Sequence, residues 1–193
     1  MCGYIGTISS KIDEDKLINS LDLIHYRGPD KTNKIFHELS NKKKIFLGHK
    51  RLEILDIESG SQPMVSSDNN LIILFNGEIY NHQKLRNILV SEGYKFISSH
   101  SDTEVILAGY KIWGTNVAKK LNGMWSFIIY DKKKNIIFLS RDRVGEKPLY
   151  YYHDSNNFTF ASEYNPLISL HKEKIKINSL NIAKYNCLGF FPK

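Results

Sequence analysis

Met1-Cys2-Gly3-Tyr4-Ile5-Gly6-Thr7-Ile8-Ser9 opens the chain, and its reading decides the fold. Residues 2–9 are a short, glycine-containing apolar run that reads as a buried strand beginning almost at the terminus. Beyond it, Leu17, Ile18, Leu21 and Ile24 recur at helical spacing and predict a helix from Asp13 to about His25. Arg27-Gly28-Pro29-Asp30 then breaks the pattern as a turn. Segments 34–39 and 44–49 flank Lys42-Lys43-Lys44 and read as a hairpin. Leu71 to Phe75 is a continuous apolar strand, expected to end at the turn dipeptide Asn76-Gly77. Helices are predicted over 82–91 and 103–113, the second capped within Ser101-Asp102-Thr103-Glu104. A further hairpin, 124–130 with 135–140, surrounds Lys132-Lys133-Lys134, and shorter strands follow near 149–152 and 157–162. From Asn178 the tail is less patterned. With no internal repeat and no low-complexity linker, the expectation is one α+β domain of antiparallel sheets with helices outside.

Bulk properties agree. A chain of 193 residues suits one fairly large domain, and 41% hydrophobic with 24% charged residues is ordinary globular composition. The net charge of +7 would attract nucleic acid, but the lysine runs sit at hairpin tips and no long basic segment interleaves with aromatics. A nucleic-acid binder is therefore a minority reading. Cys2 and Cys187 lack the spacing of a metal site or a disulfide framework. No apolar run approaches the roughly 20 residues that span a bilayer, and no charged-then-apolar signal segment opens the chain. The expected setting is a reducing cytoplasm, where an exposed thiolate survives.

Chemistry begins with Cys2. A buried structural cysteine is the commoner case, but position changes the physics. If Met1 is removed, residue 2 carries both a thiol and a free α-amine. Such groups titrate near about 8.5 and about 7.7–8.0 in water, so the amine can take the thiol proton and later deliver it to a leaving ammonia. An amide hydrolase also needs donors aimed at the developing oxyanion. Asn76 offers side-chain N–H groups, and Gly77 lets its backbone N–H approach a substrate closely, though Asn-Gly alone reads first as a plain turn. Arg51, in Gly48-His49-Lys50-Arg51-Leu52, can clamp a carboxylate through two parallel hydrogen bonds. Glu78 and Asp102 are candidate partners for an ammonium, although alone each is a surface charge. His25 and His49 lie in apolar surroundings and read as hydrogen-bonded core or turn histidines, not as metal ligands.

Six blocks taken together carry a resemblance: Met1 to Gly6, His25 to Asp30, Gly48 to Leu52, Asn76-Gly77-Glu78-Ile79-Tyr80-Asn81, Ser101 to Glu104 and Arg141 to Tyr150. In this order they resemble the class II glutamine amidotransferase domain of glutamine-hydrolysing asparagine synthetase and its relatives, over nearly the whole chain. The resemblance implies an N-terminal-nucleophile hydrolase fold, a four-layer αββα sandwich of two antiparallel sheets between helices. It implies Cys2 as nucleophile, Asn76 and Gly77 as the oxyanion hole, Arg51 on the glutamine carboxylate, and Glu78 and Asp102 on its amino group. The backbone around Ile54 and Leu55 would complete the pocket, the Arg27-to-Asp30 turn would shape its mouth, and Arg141 to Tyr150 would be mainly architectural.

The implied reaction splits glutamine into glutamate and ammonia through a Cys2 thioester, for an asparagine-synthetase-like amidation. No cofactor is expected in this domain. ATP and magnesium belong to a synthetase domain whose phosphate loop does not occur in these 193 residues. The expected organisation is a single amidotransferase domain over 1–193, its tail from about 178 leading towards such a domain. The expected partners are glutamine and either that synthetase domain or a separate ammonia-accepting enzyme, with homo-oligomerisation open and no membrane. Three alternatives stay open: a non-catalytic glutamine-binding or scaffolding module, an amidotransferase serving a sugar or another acceptor, and a different amide-cleaving N-terminal nucleophile.

Overall fold

In the computed structural model, residues 2–39, 43–53, 60–171 and 176–190 are described. Numbered in chain order, strands β1 (Gly3–Ser9), β2 (Lys31–Glu38), β3 (Lys44–Arg51), β8 (Tyr150–His153) and β9 (Asn157–Ala161) pair antiparallel in the order β2-β3-β1-β9-β8. Strands β4 (Met64–Val65), β5 (Leu71–Ile79), β6 (Gly123–Asp131) and β7 (Ile136–Arg141) form a second antiparallel sheet in that order.

Strands β1, β3, β5 and β6 are nearly continuous apolar runs because each is covered on both faces. Between the sheets lie Tyr4, Ile45, Leu47, Ile72, Leu74, Ile128 and Phe160. The outer face of the first sheet, with Ile5 and Phe46, packs under α1 (Glu14–Asp22) and α5 (Tyr164–His171) through Leu17, Leu21 and Leu167. The outer face of the second, with Ile73, Phe75, Phe127 and Ile129, packs under α2 (His82–Ser91) and α3 (Asp102–Trp113). Helix, sheet, sheet, helix is the four-layer α+β arrangement that the resemblance implies.

Local signals act as expected at several helix starts. Asp13 accepts from Lys16 N at 3.1 Å and Ser101 from Glu104 N at 3.3 Å, satisfying amides that helix geometry leaves unpaired. Two expectations are corrected. Strand β5 does not end at Asn76-Gly77 but runs through it to Ile79, pairing Gly77 with Trp125 on β6. A side chain at Gly77 would come within 2.1 Å of the Met124 carbonyl oxygen, so close backbone approach explains this glycine and a hairpin does not. The tail from Asn178 forms α6 (Ser179–Leu188) after the short α4 (Val117–Lys120) and α5. Helix α6 buries none of its residues, which is why no amphipathic period announces it.

Candidate active site

The site grows from strand parity. Tyr4, Ile45 and Leu47 point into the inter-sheet layer, so alternation puts Cys2, His49 and Arg51 on that same face. The register pairs Gly3 with Lys50, and one step further sets Cys2 opposite Arg51. On the other sheet Ile72, Leu74 and Ile128 face inward, and with them Asn76 and its register partner Ser126. The Tyr4 hydroxyl hydrogen-bonds the Ser126 hydroxyl across the gap. One end of the inter-sheet layer therefore turns from apolar to polar, with Cys2, Tyr4, His49 and Arg51 on one wall and Asn76 and Ser126 on the other.

The Cys2 thiol lies against the backbone just past β3: Leu52 N donates to its sulfur at 3.5 Å, and the sulfur is 3.8 Å from Leu52 O. Arg27 Nε donates to the Cys2 carbonyl at 3.1 Å, and the same guanidinium pairs with Glu163. The turn after Arg27 is pressed onto β3. A Cβ at Gly28 would fall 2.4 Å from the Lys50 carbonyl, Asp30 N donates to Arg51 O at 3.2 Å, and Glu53 N donates to the Asp30 carboxylate at 2.8 Å. The turn expected at the mouth thus borders both Cys2 and Arg51.

Facing them is a strand edge with open donors. Asn76 is 2% exposed, and its side-chain Nδ2 has no hydrogen-bond partner among the described residues. Tyr80 N donates to Asn122 O at 2.8 Å, so the even-numbered residues of β5 direct their backbone groups to β6 and the odd-numbered ones away from it. Along that outward edge, Phe75 N is taken by Gln62 Oε1 at 2.6 Å and Ile79 N by Asp102 Oδ2 at 3.1 Å. Between them the Gly77 N–H has no hydrogen-bond partner among the described residues. Two unpaired donors, one buried amide side chain and one backbone N–H, sit on adjacent residues. A developing oxyanion needs such a pair.

Arg51 is 3% exposed and donates to Glu53 at 3.2 Å. Burial pushes the Asp102 carboxyl above its ordinary range, opposed by the Ile79 N–H; neighbouring Glu78 adds a smaller push upward. Glu78 itself is exposed at the end of β5. Ile54 and Leu55 lie outside the described residues. His49 is fully buried; burial lowers its pKa to about 4, so the ring is neutral. Its Nε2 is 3.4 Å from Phe75 O, and its Nδ1 has no hydrogen-bond partner among the described residues. No His, Cys, Asp or Glu cluster among the described residues could hold a metal ion, and no described helix is long and apolar enough to cross a membrane.

Sequence reasoning did not find the Arg27 bond to Cys2, the Glu53 partner of Arg51, or Gln62. Only Arg27 carried a signal, since Gly-Pro after it marks a tight turn. A family model described as "Glutamine amidotransferase domain" matches residues 1–193. The chain belongs to the glutamine amidotransferase domain family. A protein of Methanocaldococcus jannaschii provisionally named glutamine-hydrolysing asparagine synthetase 2 is 39% identical over 211 residues, covering 100% of this chain and 40% of that protein. Glutamine-hydrolysing asparagine synthetase 1 of Bacillus subtilis is 36% identical over 199 residues, 100% of this chain and 30% of its own length. The chain thus spans less than half the length of these relatives, and the domain is homologous to their amidotransferase part. Among solved structures, glutamine phosphoribosylpyrophosphate amidotransferase from B. subtilis superposes with a TM-score of 0.70 at 22% identity, over 88% of this chain and 43% of that one. That likeness shows that the two share the four-layer fold.

Proposed function

We propose that this domain hydrolyses glutamine, with Cys2 as nucleophile once Met1 has been removed, and passes the ammonia to a synthetase that amidates aspartate. The observation that supports this reading is that residue 2 and Asn76, whose buried Nδ2 has no hydrogen-bond partner among the described residues, lie on facing walls of one polar end of the sandwich, with the Gly77 N–H beside them on the free edge of β5. Arg51 would hold the substrate α-carboxylate, and Asp102 with Glu78 its α-ammonium. That leaves the side-chain amide directed at the thiol.

The Cys2 α-amine takes the thiol proton, and the sulfur attacks the amide carbon, forming a C–S bond. The carbonyl oxygen becomes an oxyanion and receives hydrogen bonds from Asn76 Nδ2 and Gly77 N–H, each worth roughly 3–4 kcal/mol to the transition state. Collapse breaks the C–N bond, and the α-ammonium returns its proton to the leaving nitrogen, which departs as ammonia. Water then attacks the γ-glutamyl thioester, passing again through the same oxyanion. Collapse breaks the C–S bond, a proton from that water restores the thiol, and glutamate leaves. Each step uses side chains and backbone of this chain, and no cofactor enters this half-reaction. ATP and magnesium would act in the synthetase portion. A free catalytic thiol suits a reducing cytoplasm, the compartment we assign.

The test is glutamate and ammonia release from glutamine by the purified chain beside Cys2→Ala. Release by the first and background rates from the second are expected. Equal rates would leave a glutamine-binding module as the better description.

A further inference from the structure

We infer that Gln62 and His49 are positioning residues for the oxyanion hole, acting by holding the free edge of β5 in place of a missing strand. The inference rests on the glutaminase reading above. Strand β4 covers only Ile72 and Ile73 of that edge, and beyond them no strand among the described residues pairs with that side. Side chains do so instead. Gln62 Oε1 accepts the Phe75 N–H at 2.6 Å, and His49 Nε2 lies 3.4 Å from the Phe75 carbonyl oxygen. Against a carbonyl, the ring nitrogen must be the donor, so neutral His49 carries its proton on Nε2. The Phe75 carbonyl belongs to the peptide that carries Asn76 N. Asp102 holds Ile79 N from the other side at 3.1 Å.

Along the outward edge the Phe75 N–H and C=O are both held, the Gly77 N–H and C=O follow, and the Ile79 N–H is held. The Gly77 N–H belongs to the peptide whose Asn76 carbonyl faces β6, and the bonds at Phe75 and Ile79 hold the peptides on either side of it, so β5 keeps its course and with it the directions of the Gly77 N–H and the Asn76 side chain. A donor already aimed before substrate arrives costs no reorganisation during the reaction. Gln62 is itself well placed for the task, being 6% exposed, with its backbone carbonyl accepting from Asn33 Nδ2 at 3.1 Å and tying it to β2.

A positioning role separates from a merely structural one by what moves. Gln62→Leu keeps the bulk but loses the acceptor. It is expected to lower kcat for glutamine hydrolysis at least tenfold while KM stays within about twofold, because Arg51 and Asp102 still hold the substrate. Gln62→Glu keeps an acceptor oxygen on a side chain of equal length and is expected to restore most of kcat. His49→Leu and His49→Gln form a second pair, since the glutamine amide can replace the Nε2 donor. A glutamate γ-semialdehyde, which forms a tetrahedral adduct with a thiol, should lose affinity for the leucine variants in proportion to kcat, whereas glutamate binding should not change. Leucine variants with wild-type kcat and wild-type aldehyde affinity would overturn the inference. So would losses in which KM rises, glutamate affinity falls and the polar replacements rescue nothing. If Gln62→Leu does not fold, the His49 pair decides. Activity of the unaltered chain that vanishes in Cys2→Ala upholds the glutaminase reading whichever way these variants fall.

Discussion

At Gly77 one missing carbon atom decides whether two strands can meet. A Cβ there would lie 2.1 Å from Met124 O and 2.8 Å from Trp125 Cα, both backbone atoms of β6 that cannot yield as a side-chain tip could. Gly77→Ala is therefore expected to push β5 off β6, destabilise the fold by about 1–3 kcal/mol and lower kcat by roughly a hundredfold or more through a displaced donor. Urea unfolding and steady-state glutaminase kinetics check the two effects separately. The sequence named Asn76 and Gly77 as donors yet mistook them for a turn, because Asn-Gly is a strong turn dipeptide and nothing local reveals a backbone pressed against it. Arg51, Asp102 and Cys2 can be proposed from the sequence because few residue types can clamp a carboxylate, hold an ammonium or supply a nucleophile. Gln62 was not legible: its role comes from a hydrogen bond thirteen residues away in sequence. His49 was read as a hydrogen-bonded core histidine, which it is; its partner carbonyl could be known only once the two sheets faced each other.

At the level of elements, the inter-sheet layer explains how the cysteine proposed as nucleophile can sit at the end of a well-packed strand. Strand β1 is held on both sides by β3 and β9 and across the gap by the Tyr4–Ser126 hydrogen bond. Tyr4→Phe would leave the Ser126 hydroxyl, fully buried, without that partner, at a cost of about 1–2 kcal/mol. Thermal unfolding is expected to shift down by about 2–4 °C per kcal/mol for a domain of this size, while the glutamine KM changes little. An unchanged midpoint would mean that the bond contributes nothing to joining the sheets. Periodicity found the elements with one buried face, such as α1 and α2, whose apolar residues repeat along a stripe. It missed α6, which has no buried face, and β4, which at two residues is too short to show a pattern.

For the molecule as a whole, burial of an uncharged histidine links stability to acidity. His49 is free to protonate near its ordinary pKa of about 6.5 when unfolded but only near 4 when folded. Between those values the unfolded chain binds the extra proton. Stability contributed by neutral His49 is thus complete above about 6.5 and is lost as pH falls towards 4, at roughly 1 kcal/mol per pH unit. Unfolding free energies of the wild type and His49→Gln, compared from pH 7 to pH 4, should converge as pH falls; parallel curves would contradict the assignment. The net charge of +7 shapes solubility and encounter with acidic surfaces, and it says nothing of the reaction. What joins fold to function is the chemistry of residue 2. Its most direct measurement is the intact mass of the protein acid-quenched during turnover of glutamine, followed by peptide mapping. A chain lacking Met1 and carrying one glutamyl group on Cys2 is the predicted species. A turning-over protein that retains Met1, or carries its glutamyl group anywhere else, would contradict the account.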